Sequence, residues 1–279
     1  MSMQDPHNLI GWTQEPYAEQ PDCKASIRRL LKVAKTQDLN EAFTTLSNKS
    51  EIDLSNDPWV KTSEPLDARV LSIFTGLQSL KLDNQKVNNF SALGALTKLK
   101  ELSVKASNLE DISFVSTLPH LKRLCIDENV VTSLLGLAHC QELEFFSAKD
   151  NKIRELNPLS EIQSLREINV TKNHIGSLNP LSILTELKKI WLGSNLFSDL
   201  TPLRTLRKLR VLDVGGNSLD DISELAVLRA LEDLDLRHNR IRNIRALKEL
   251  TSLEKVGLSG NAVDEEEVQM VLPRRVTVY

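Results

Sequence analysis

"LREINVTKNHIGSLNPLSILTE", residues 165–186, decides the fold. Leu165, Ile168 and Val170 occupy its first, fourth and sixth places, and Ile168 and Val170 alternate with polar residues. That pattern makes a short strand with one inward face. Ile175, Leu178, Leu181 and Leu184 then come at every third place, where the chain turns back as a helical or extended segment. One stretch therefore reads as one coil, with a strand, a corner and a return.

Outward from this stretch the same template repeats without insertion or deletion. Its leading leucine stands at residues 77, 99, 121, 143, 165, 187, 209, 231 and 253. A unit that cannot bury its inward face alone must stack on its copies, so nine registers in phase specify a solenoid. Asparagine fills the ninth place at residues 129, 151, 173, 195, 217, 239 and 261. There the chain leaves the strand, and an amide with donors and an acceptor serves backbone groups that no strand ladder reaches. Gln85 and Ser107 hold this place in the first two repeats, so the ladder is expected to be weaker at that end. In the fourth repeat the inward pair is Phe146 and Ala148, a large residue beside a small one, which roughly conserves volume.

This template resembles the leucine-rich-repeat family over residues 77–274. The length of 22 residues, and the Asn-Pro or Thr-Pro before Leu159, Leu181 and Leu203, resemble the subclass shared by bacterial internalins and a eukaryotic regulator of protein phosphatase. They are unlike the longer plant or ribonuclease-inhibitor repeats. The resemblance implies an α/β fold: a right-handed leucine-rich-repeat solenoid, a horseshoe arc with a parallel concave sheet and an N-terminal helical cap. It also implies a module that binds a partner protein on the concave face. An exported bacterial effector or surface protein that binds a host or envelope protein is one alternative. A regulatory subunit docking on a cytosolic enzyme such as a phosphatase is another, and a purely structural scaffold is a third.

The flanks read as caps. A polar tail covers residues 1–20 and a helical cap residues 21–50. Ile27, Leu30, Leu31 and Ala34, then Leu39, Ala42, Phe43 and Leu46, fall at helical spacing, with Asp38 and Glu41 in capping-box order. Residues 51–76 form a degenerate first repeat in which "EIDLSN" resembles one more strand and residues 55–70 an irregular insertion. The repeats run over 77–262, and 263–279 make a C-terminal cap with a helical turn, Pro273 and a terminal strand.

Net charge is only -3 with 26% charged residues, so composition selects neither nucleic acid nor an anionic membrane. No apolar run is long enough to span a bilayer, and "MSMQDPHNLIGWTQEPYAEQ" lacks the regions of a signal peptide. With an odd cysteine count, this points to a cytoplasmic monomer. The alternative is an exported chain from which a signal has been removed. Cys125 is expected on the concave face and Cys140 inside, too far apart for a disulfide.

Function is expected on that face, at the third, fifth, seventh and eighth places of each repeat. These carry nine acidic and eight basic residues, against the basic stripe that nucleic acid needs. Phe145, Trp191 and Val211 interrupt the charge. Trp191 and Val211 are expected to touch, with Gly193, Gly215 and Gly216 leaving space beside the indole. The group has the make-up of an interface anchor, with Lys189, Asp213, Asp235 and Arg237 as its polar rim. No catalytic residue, metal ligand or cofactor is expected. His174 and His238 lie roughly 15 Å apart by strand spacing, and no phosphate loop, Cys-x-x-Cys or His-Glu-x-x-His motif occurs.

Overall fold

The computed structural model describes residues 11–13, 20–57 and 64–279. Most of the expected 1–20 tail and the middle of the 55–70 insertion lie outside them. The chain divides into two compact units, Met1–Val131 with Leu135–Leu143, and Thr132–Leu134 with Glu144–Tyr279.

The first unit opens with helices α1, Pro21–Ala34, and α2, Leu39–Ser47. Each buries one stripe: Ile27 and Leu30 in α1, Ala42 and Leu46 in α2. Asp38 caps α2 by accepting from the Glu41 amide at 2.8 Å. The return half of the capping box is relayed: Thr36 Oγ1 donates to the Glu41 carboxylate and accepts from the Asp38 amide at 3.1 Å. Four parallel strands follow, Glu51–Asp53, Ser79–Lys81, Glu101–Ser103 and Arg123–Cys125, paired in chain order. Within the insertion, Leu66–Asp67 pairs in parallel with Val87–Asn88 of the first repeat.

That pair is tied to α1 through Asp67, whose side chain is fully buried. Its amide donates to Ser26 Oγ at 2.7 Å, and its carboxylate accepts from Cys23 Sγ and from the Arg69 amide and guanidinium. Burial pushes the Asp67 carboxyl up, but the side-chain and backbone bonds from Arg69 outweigh it and hold it below the usual range.

The second unit has seven strands: Phe145–Ser147, Glu167–Asn169, Lys189–Trp191, Val211–Asp213, Asp233–Asp235, Lys255–Gly257 and Thr277–Val278. They too are parallel and paired in chain order. The return segments are 3-10 turns such as Asn157–Glu161 and Thr201–Thr205, with proline in the first turn, where its missing N–H costs nothing. Helix α3, Glu265–Val271, precedes the last strand. Inward places are closed to solvent: Ile168, Val170, Ile190 and Leu192 are all 0% exposed, as are Phe146 and Ala148. The leucine-rich-repeat architecture expected from the period is the one the structure has.

The corner of each repeat has two fixed features. The eighth place takes a left-handed backbone in all nine repeats, from φ 47° at Ala106 to 74° at Gly260, although only residues 216 and 260 are glycine. Each non-glycine there costs roughly 1–2 kcal/mol of steric strain. The ninth-place asparagine offsets that cost. Asn195 Oδ1 accepts from the Ile175 amide at 3.0 Å, and Nδ2 donates to the Val170 and Leu192 carbonyls at 3.0 and 2.9 Å. Asn173 and Asn239 repeat the pattern.

Candidate protein-binding face

Each strand spans only the third to fifth places of its repeat, so its two outward side chains form two rows across the sheet. In the second unit one row runs Phe145, Glu167, Lys189, Val211, Asp233, Lys255, Thr277. The other runs Ser147, Asn169, Trp191, Asp213, Asp235, Gly257. Nearly all of these positions keep contact with solvent, and Phe145, Trp191 and Val211 are each half-buried.

The rows put Trp191 between Asn169 and Asp213, and Val211 between Lys189 and Asp233. Trp191 and Val211 are therefore diagonal neighbours, not lateral ones. Phe145 stands in Val211's row, separated from it by Glu167 and Lys189, which close an ion pair at 3.0 Å. The face thus has Trp191 with Val211 diagonal to it on the next strand, and Phe145 set apart from Val211 by a charged pair.

The space beside the indole is occupied differently from the expectation. A Cβ on Gly193 would lie 2.9 Å from Asp213 Oδ2, so this glycine makes room for a carboxylate. Asp213 Oδ1 accepts from the Gly215 amide at 2.9 Å. Burial pushes the Asp213 carboxyl above its ordinary value, against the pull of that bond, and Asp235 adds to the rise. Asp235 accepts from the Arg237 amide and from its Nε at 3.0 Å. The Arg237 guanidinium also lies 5.0 Å from the centre of the Tyr279 ring. Gly257 leaves the gap that Tyr279 fills, since a Cβ there would come within 2.9 Å of the ring. Tyr279 belongs to this face, and the sequence reading missed it. The one available signal was its place two residues after Thr277, in register with Gly257.

Cys125 is half-buried on the outward side of its strand, with Sγ 3.3 Å from Asp127, and burial pushes its thiol up to about 12. Among the described residues, Asp22, Cys23 and Asp67 are the group near enough together to ligate a metal. Arg69 already occupies the Asp67 carboxylate, and burial pushes the Cys23 thiol up to about 12. His120 pairs with Glu142 at 3.0 Å in an exposed position. A groove beside α3 sets Arg242, Arg245 and Lys248 against Asp264, Glu266 and Glu267. No helix among the described residues is long and apolar enough to cross a membrane.

Comparison with known proteins agrees with this architecture. A leucine-rich-repeat family profile matches residues 207–263. The structure is similar to that of an internalin (inlF) from Listeria monocytogenes, with 20% identity, a TM-score of 0.67, and coverage of 92% of this chain and 88% of that one. Internalin C2 from the same organism gives 22% identity and a TM-score of 0.66 over 74% of this chain and 90% of that one. The plant peptide hormone receptor RGFR1, in complex with RGF2, gives 17% identity and a TM-score of 0.70 over 85% of this chain but only 40% of the receptor chain. No curated protein sequence matches the chain. A phased repeat, an asparagine ladder and a parallel sheet built one strand per repeat give this chain a leucine-rich-repeat fold, similar to that of the internalins.

Proposed function

We propose that the chain is a non-catalytic binding module that takes a partner protein on the open face of the sheet in its second unit. Trp191 is the anchor, Phe145 and Val211 are outlying apolar contacts, and Lys189, Asp213, Asp235 and Arg237 form the polar rim. The observation that carries this reading is a half-buried tryptophan on the outward side of a parallel sheet. Parallel sheets are usually covered on both sides, whereas here the outward rows keep their contact with solvent. Tryptophan and arginine are the residue types that most often dominate binding energy at interfaces.

The test is affinity capture from lysate of the source organism, comparing the wild type with a Phe145→Ala, Trp191→Ala double variant of verified fold. The expected result is a protein retained by the wild type and lost by the variant. Equal capture by both would place the binding site elsewhere and reduce Trp191 to surface cover.

A further inference from the structure

The rim beside Trp191 is only partly neutralised by the described residues. Asp213 and Asp235 stand side by side on adjacent strands, and Asp233 shares the second of these. Of the three, only Asp235 closes an ion pair among the described residues, with Arg237, which grips it through Nε and Nη2 and acts on Asp213 from further off. Asp213 accepts one hydrogen bond, at Oδ1 from Gly215, and no described residue donates to its Oδ2. Asp233 closes no ion pair among the described residues, although the exposed Lys255 is its register partner. The other nearby cation, Lys189, is committed to Glu167 on the far side.

Trp191 is Asp213's direct register partner, about 4.8 Å away across the sheet. A half-buried carboxylate with no direct ion-pair partner among the described residues, its nearest cation Arg237 being bonded to Asp235, therefore stands next to an indole, both on the uncovered face. One side chain meets both needs at once. A guanidinium is planar and weakly hydrated, stacks on an aromatic ring and bonds a carboxylate through two parallel donors. Lysine would supply the charge as a point, without the plane.

We propose that the partner is a protein segment presenting an arginine, whose guanidinium stacks on Trp191 and pairs with Asp213. The inference rests on the protein-binding reading above and names the chemistry of the occupant. Asp233 adds negative potential at the same spot, so a second basic residue in the segment is accommodated beside the first. Burial and the neighbouring Asp235 hold the Asp213 carboxyl above its ordinary value. An incoming cation relieves that penalty.

The test is selection of a random peptide library, displayed on phage, against the wild-type protein. Binders are then measured on Trp191→Ala and Asp213→Asn variants. Asparagine keeps the oxygen that accepts from Gly215, so the variant fold is retained and is checked by circular dichroism. Synthetic binders with each arginine replaced by citrulline give a second arm that leaves the protein untouched. The expected result is a set of Trp191-dependent peptides enriched in arginine, which lose about tenfold in affinity both on Asp213→Asn and on citrulline replacement. Trp191-dependent peptides with no excess of arginine, or with lysine preferred, or bound equally by Asp213→Asn, overturn this inference and leave the protein-binding reading standing. A selection that yields no Trp191-dependent peptide overturns both.

Discussion

The two units solve the same backbone problem with different residues. In the second unit the ninth place is asparagine throughout, and Asn173, Asn195 and Asn239 each serve one amide and at least two carbonyls. In the first unit that place passes from Gln85 to Ser107 before Asn129 restores the pattern. Ser107 Oγ donates to the Leu82 and Lys105 carbonyls at 2.9 and 2.7 Å, recovering part of the ladder. Gln85 is buried, with its carbonyl oxygen held by Arg29 and no partner on Nε2 among the described residues. The irregular end is secured instead by α1, through the buried Asp67 and Arg69. A repeat that satisfies its own corner leaves its outward side chains free to vary. Where the ladder lapses, the flanking elements have to hold the chain.

That contrast can be broken or sharpened by substitution. The largest effect is expected at Arg69→Ala, which strands the Asp67 carboxylate in the interior; because Arg69 itself is partly exposed, the loss should be about 2 to 4 kcal/mol in urea melts. The same pair sets an acid limit. The Asp67 carboxyl is held below its unfolded value of 3.8, so its contribution is complete above that pH and is lost as pH falls through the folded value. Arg69→Ala melts should therefore converge on the wild type in acid. Next comes Asn195→Ala, at about 1 to 3 kcal/mol, because the Ile175 amide and two carbonyls lose a partner together. Gln85→Ala should cost under about 1 kcal/mol, since it also removes an orphaned donor. If it costs as much as Asn195→Ala, the two ends of the ladder are equivalent and the contrast fails.

A smaller effect of opposite sign is expected at Asp213. Its folded carboxyl is raised, so ionisation opposes folding and stability falls as pH rises through the folded value. Asp213→Asn should accordingly be slightly more stable than the wild type at neutral pH. Thermal melts of the two proteins across pH, crossing over in mild acid, would display that linkage.

Most of the fold was legible because the solenoid repeats one local rule. Leu165, Ile168 and Val170 announce a coil, and their copies fix the stacking order and register. The corner was half legible: the asparagine stood out, but the left-handed eighth place did not, because Asp150, Lys172, Ser194 and His238 share no chemistry that signals φ above zero. The insertion was illegible, since the worth of Asp67 depends on Cys23, Ser26 and Arg69, and two of these lie more than forty residues away in sequence. On the face, alternation placed Trp191, Lys189, Val211, Asp213 and Asp235 outward. Which neighbours they meet followed from strand register, and the tilt of Asp213 over Gly193 is a side-chain choice that no periodicity encodes.

The central claim is a division of labour, in which the corner asparagines hold the fold and Trp191 is free to hold a partner. Urea unfolding of the wild type, Asn195→Ala and Trp191→Ala, followed together by far-ultraviolet circular dichroism, tests it most directly. The account predicts that Asn195→Ala shifts the midpoint downward by the equivalent of about 1 to 3 kcal/mol. Trp191→Ala, at a surface position, is predicted to stay within about 0.5 kcal/mol of the wild type. A Trp191→Ala loss as large as that of Asn195→Ala would contradict the account, because the tryptophan would then be part of what holds the sheet together.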